Sequence, residues 1–260
     1  MSVGIRAFHP RLAASVVLVA SFLSAPRPAA ASKSPVTPEG MTIEKLVRLA
    51  VAASGGAERI RALRSLRMTG RIAFTGGATV PIAVELARPA RVRTEMTFPA
   101  GAWIQAFDGR NGWTVSPFAK VPGPAPMTAE QRRSAAEQAD LEGPLVDPEK
   151  KGIRLALEGK VVVDGKDAWR LRVDRPGGAV RYLDLDAATS LKVRWEGDLG
   201  EGEERSMNAS LFSDYRPVEG FAFPFRIESG PLGGTPAQEI VFEKIEVNPA
   251  IPDSDFEPPK

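Results

Sequence analysis

The sequence predicts a single, mainly β domain: an antiparallel sheet preceded by short helices and interrupted once by an inserted helix. Three observations predict it. From Ser65 onward apolar and polar residues alternate with period two, as in strands that bury one face. Turn signals such as Gly76-Gly77, Asp164-Gly165 and Gly233-Gly234 recur between these runs, and connections this short favour hairpins over helical crossovers. Helical spacing is confined to two stretches, one near the start and one near the middle. Roughly ten or eleven strands are expected.

Residues 1–31 read as a signal peptide. Arg6 and Arg11 open it, Leu12 to Leu23 form an uncharged apolar core, and Ala29-Ala30-Ala31 supplies the small residues for cleavage after Ala31. The apolar run is shorter than the about 20 residues of a membrane span. Residues 32–40, rich in Pro, Ser and Thr, read as a flexible leader, and 41–260 as one domain. In a first helix, Ile43, Leu46, Val47, Leu49 and Ala50 share a face, with Thr42 as N-cap. Ser54-Gly55-Gly56 ends it, and Ala57 to Leu63 form a second, short helix.

Met68, Ile72 and Phe74 then set the apolar face of a first strand. Val80, Ile82, Val84 and Leu86 do so for a second, and Val92, Thr94, Met96 and Phe98 for a third. Later strands carry Trp169, Leu171 and Val173, then Leu191, Val193 and Trp195, and last Ile240, Phe242 and Ile245. Between the two groups Thr128-Ala129-Glu130-Gln131 matches a capping box. The helix it opens runs through Gln138, and its apolar residues are mostly alanine. Such a helix makes a shallow, easily displaced contact, the form either of a lid or of an edge cover.

The chemistry is bounded by what is missing. The chain has no cysteine, and its one histidine, His9, lies in the segment expected to be removed. Those two side chains carry most nucleophilic, acid–base and transition-metal chemistry near neutral pH. Removal of residues 1–31 also takes away three arginines and no acid, leaving 31 basic against 32 acidic residues. A near-neutral chain of mixed signs gives no case for nucleic acid as partner. Asp184 and Asp186 share a strand face and offer oxygen ligands, yet calcium takes about six to eight oxygens, and a solvated acidic face is the simpler reading. Glu85, Glu95 and Asp108 are available for carboxylate-dependent glycoside hydrolysis, though none sits in a distinctive motif. No Ser-x-x-Lys, G-x-S-x-G, P-loop or dinucleotide fingerprint follows the leader.

The most distinctive local pattern is Phe107-Asp108-Gly109-Arg110-Asn111-Gly112-Trp113, a tight hairpin flanked by aromatic residues. Four more features accompany it: Gly70 in the first strand, Arg88-Pro89 at a strand turn, Gly220 to Pro224 (Gly-Phe-Ala-Phe-Pro), and the terminal Phe256-Glu257-Pro258-Pro259. In this order they resemble the LolA-like family of periplasmic lipoprotein carriers, over most of residues 41–260. The resemblance implies an incomplete, strongly curved antiparallel barrel whose helices cover an apolar cavity on the concave side. It implies a monomeric periplasmic carrier of acyl chains, from lipoproteins or other lipids, exchanging cargo with a membrane-anchored donor or acceptor and using neither catalysis nor cofactor. Arg88 matches the family arginine that holds the lid closed through hydrogen bonds to helix backbone. Met68, Phe74, Met96, Phe98 and Trp103, with Trp113 of the hairpin, are the candidate lining, because Met and aromatic side chains adapt to variable chains. A sensor module docking a membrane-anchored partner protein, and a carboxylate-dependent carbohydrate-active enzyme, are the alternative readings.

Overall fold

The computed structural model describes residues 40–177, 180–199 and 206–259. The expected signal peptide, and the leader up to residue 39, lie outside the described residues. α1 (Ile43–Ala53) is capped by Thr42, whose hydroxyl accepts from the Lys45 amide at 3.2 Å. α1 buries Leu46 and Ala50, while Leu49, expected on the same face, is 39% exposed. α2 (Ala57–Ala62) follows, turning at Gly55 and Gly56, both of which have positive φ.

One sheet takes all thirteen strands among the described residues, every pair antiparallel. β1 (Ser65–Phe74), β2 (Thr79–Ala87), β3 (Arg91–Phe98), β4 (Gly101–Phe107), β5 (Gly112–Val115) and β6 (Ala125–Pro126) spread from the middle to one edge. β7 (Arg154–Val163) forms the opposite edge. From it β8 (Lys166–Asp174), β9 (Val180–Asp186), β10 (Lys192–Leu199), β11 (Ser206–Val218), β12 (Phe221–Pro231) and β13 (Gln238–Val247) return until β13 pairs with β1. The sheet is curved and open, because β6 and β7 do not meet. The count exceeds the expected ten or eleven in part because β6 has only two residues, too few to show a period.

This order makes one connection unlike the rest. Residues 127–153 leave one edge of the sheet and enter the other, so they cross a whole face. α3 (Ala129–Gln138) lies in that crossing, opened by the expected capping box of Thr128 and Gln131. Met127, Ala135, Ala139 and Val146 of the crossing pack with Ile60 and Leu63 of the α2 region against Ile72, Met96, Trp103, Phe107, Phe225 and Ile240 of the strands. A second cluster joins Leu46 and Ala50 of α1 to Leu157, Trp169, Leu171, Val173, Leu183 and Leu185. The helices therefore cover the concave face in two halves.

The convex face is fastened differently. Asp184, with no exposed surface, and Glu196, at 3%, lie beneath two arginines. Arg170 holds Asp184 in a fork at 2.8 and 2.9 Å and reaches Glu196 at 2.5 Å, while Arg194 meets the same two acids at 2.6 and 2.8 Å. A bulge between Lys192 and Arg194 turns Arg194 to this face. Asp184 is thus neither a cation seat nor a solvated acid. Asp186 caps its own turn instead, accepting from the Ala188 and Thr189 amides. At the far edge β7 is kinked by a bulge between Leu157 and Gly159 and shows Arg154, Glu158 and Lys160 to solvent.

The C-terminal segment also binds the convex side. Phe256, 1% exposed, lies under Arg91, whose guanidinium stands 5.1 Å from the ring centre and pairs with Asp253. The Trp113 indole donates to the Phe256 carbonyl at 2.8 Å, and Ser65 and Arg67 bond the Pro249 and Ala250 carbonyls. Phe256 thus ties the C-terminal segment to β3 through its ring and to β5 through its carbonyl. Phe256→Ala should lower unfolding free energy by about 3–5 kcal/mol, read as a fall in the urea midpoint at an unchanged slope. A loss below about 1 kcal/mol would mean that the segment lies on a finished core.

Candidate functional site

The concave face is built from alternate residues of β1 to β4 and β12 to β13. Register sets Met68 beside Val84 and Ile245, Met96 between Ile82 and Trp103, and Phe98 across from Gly101. Met96 and Trp103 are buried, at 2% and 9% exposure, whereas Met68, Phe74 and Phe98 are half-buried. Phe74 and Phe98 stack with centroids 6.3 Å apart, and Phe118 meets Phe98 edge-on at 5.2 Å. An aromatic file therefore leads from the partly exposed Phe118 into the concave core. Five of the candidate lining residues share this face. Trp113 does not: it pairs with Ala106, which pairs with Arg93, so it stands on the convex side against Phe256.

Arg88 stands at the end of β2, where the two covers meet. Its Nε donates to the Leu63 carbonyl at 2.6 Å, and its Nη2 donates to the Arg61 carbonyl at 3.0 Å and to Glu142 at 2.8 Å. The first two acceptors end α2, and Glu142 follows α3. One side chain thus fastens both covers to the sheet. Lys151 extends the contact, meeting Glu142 at 3.3 Å, Asp140 at 2.6 Å and the Gly143 carbonyl at 2.9 Å. Beyond it Asp147 takes a fork from Arg61 at 2.9 and 3.0 Å.

α3 is also anchored across the sheet. Glu137 comes within 3.8 Å of the Nε atoms of both Arg175 and Arg181. Arg181 is fully buried. It fits because its ladder neighbour is Gly197, where a Cβ would come within 2.5 Å of the arginine chain. By contrast the apolar contact of α3 is thin: within the helix only Ser134 and Ala135 are buried. The apolar anchors of this cover, Met127, Ala139 and Val146, lie outside α3 itself.

Sequence reasoning located Arg88, through its turn with Pro89, but missed Glu142, Lys151 and Glu137. Their only signal is charge in a polar helix and loop, which reads as solvated surface. The acids weighed for catalysis are engaged in local bonds: Glu85 with Arg67 at 2.7 Å, Glu95 with Arg93 at 2.5 Å, and Asp108 with the Arg110 and Asn111 amides of its own turn. Among the described residues no three His, Cys, Asp or Glu side chains gather as a metal site. Two surface hollows lie at the β7–β8 and β9–β10 turns, around Lys166, Asp167 and Asp186. Neither is lined by Met68, Phe74, Met96, Phe98 or Trp103.

No protein-family model matches the sequence. No curated protein is significantly similar to it. Solved structures match over most of the chain. A LolA superfamily protein from Nitrosomonas europaea aligns with 84% of this chain and 98% of its own, at 15% identity and a TM-score of 0.54. A DUF1329 family protein from Desulfovibrio piger aligns with 86% and 98%, at 12% identity and a TM-score of 0.58. A putative outer membrane lipoprotein-sorting protein domain from Vibrio parahaemolyticus aligns with 82% and 94%, at 9% identity and a TM-score of 0.54. The chain has the LolA-like fold, as the order of its motifs implies.

The charge latch makes the cover sensitive to acid. Burial pushes the Glu142 carboxyl up, but hydrogen bonds from Arg88 and Lys151 outweigh it and hold the group below its ordinary value. Arg61 holds Asp147 down to about 2. Depressed carboxyls stabilise the folded cover above their ordinary values, and that contribution is lost as pH falls through the lowered ones. The loss therefore starts below about pH 4.3 and runs to about 2. With a fluorophore on Ala136→Cys, anisotropy should fall over that window before the far-ultraviolet circular dichroism changes. Glu142→Gln should lower the anisotropy already at pH 7. A signal that moves only with global unfolding would show that these ion pairs do not hold the cover.

Proposed function

We propose that the chain is a non-catalytic periplasmic carrier that holds the acyl chains of lipids or lipidated proteins on its concave face. The observation that carries this reading is the mismatch between the two sides of the cover. The sheet side is Met- and Phe-rich; the cover is a polar helix fastened by Arg88 and Glu137. An acyl chain gains roughly 0.8 kcal/mol for each CH₂ it buries, so a long chain offers on the order of 10 kcal/mol. The apolar contact of α3 is worth on the order of one methyl group per buried alanine, about 1 kcal/mol each. Cargo is strong enough to displace the helix, and the ion pairs set how readily it does so. The LolA-like fold and the predicted signal peptide support the same reading and its compartment.

Arg88 is then a control on apparent affinity, because a closed cover lowers it by the closed fraction. Dansyl-undecanoic acid should bind the purified full chain, and lipid should be recovered by native mass spectrometry of protein taken from the periplasm. Phe98→Glu should weaken the dansyl ligand tenfold or more with little change in melting temperature, whereas Arg88→Gln should tighten it. Absence both of recovered lipid and of dansyl binding would sink the carrier reading.

A further inference from the structure

One row of side chains crosses the concave face, and its middle is polar. Ladder pairing sets Phe74 beside Gln238, Gln238 beside Ser229, Ser229 beside Ser210, Ser210 beside Trp195, and Trp195 beside Leu183. Phe74 belongs to the first apolar cluster, Trp195 and Leu183 to the second. The three residues between them form a seam where the two clusters part. Gln238 and Ser229 are each only 7% exposed. The hydroxyls of Ser210 and Ser229 lie 2.8 Å apart, but the Gln238 Oε1 is buried and meets no hydrogen-bond donor.

A buried amide oxygen without a donor is unfavourable, and such atoms are rare in folded proteins. Leucine at 238 would continue the apolar face without that cost. We propose that the Gln238–Ser229–Ser210 seam is the head-group site for the lipid held on this face, and that the lipid is a neutral one bearing a hydroxyl. This rests on the acyl-carrier reading above. The chemistry selects the class. A hydroxyl both donates and accepts, so it satisfies the amide whichever way its oxygen and nitrogen are turned, and the two serines can rotate to complement it. A phosphate or carboxylate brings no proton for Oε1, and the cation next along this face, Lys192, lies over the Phe212 ring at 3.7 Å. The acyl chain then runs from the seam over the half-buried Phe74 and Phe98, beneath the displaced cover.

The test is competition against 1-N-phenylnaphthylamine on the full chain, comparing 1-monopalmitoylglycerol with methyl palmitate. The two share chain and ester and differ in the diol. The wild type should prefer the glyceride about tenfold, the worth of roughly 1.4 kcal/mol. Gln238→Leu should bring the ratio close to one by weakening the glyceride alone, at an unlowered melting temperature. Gln238→Met, of similar length, should do the same, so the test survives if either variant misfolds. Equal binding of both lipids by the wild type, or a preference that persists in the variants, overturns the head-group site and leaves the carrier reading standing. Displacement by neither lipid overturns both.

Discussion

A sheet that curls without closing leaves the apolar side of its strands facing a space that the strands cannot fill. Something else in the chain must lie there, and the strand order decides what. Six strands spread one way from β1 and seven return from the opposite edge to meet it. The link between the two runs has to pass from margin to margin, and it passes over the concave side. The helices before β1 cover the remainder. Cover and sheet are thus consequences of one topology, and the face between them is where the strands invest their large apolar residues.

How the cover is fastened distinguishes it from an ordinary core layer. A helix meant to stay would bring leucines; α3 brings Ala135, Ser134 and a set of charges. Exposed ion pairs contribute little to stability, and partly buried ones lose much of their attraction to desolvation. Their virtue is direction. Arg88 fits the carbonyls that end α2 and the carboxylate that follows α3 in a single geometry, so one side chain ties both covers to the sheet. The same economy appears on the convex side, where Asp184 and Glu196 are buried but matched one for one by Arg170 and Arg194.

The parts readable from sequence are those governed by local rules. Period-two alternation located β1 to β3, and short-range capping located α1 and α3 through Thr42 and Thr128. Long-range pairing is not written locally. Asp184 looks like a surface acid because its strand alternates as a half-exposed one does; only the adjacent β8 and β10 supply the arginines that bury it. Trp113 looks like lining because aromatic residues flank its hairpin, yet β4–β5 register turns it outward. Gln238 sits at the start of a strand beyond a turn, where a polar residue is unremarkable, and its isolation follows from neighbours far away in sequence. Arg88 was legible only through the order of motifs around it.

An unclosed sheet also has two margins with free hydrogen-bonding groups, and such margins recruit copies of themselves. Here neither can template growth. One is two residues long and ends in Pro126, which has no amide hydrogen to offer. The other is bent at Gly159 and studded with Arg154, Glu158 and Lys160. Both margins are therefore poor templates for edge-to-edge pairing, and the apolar concave face lies between rims that discourage a second copy from adding a strand.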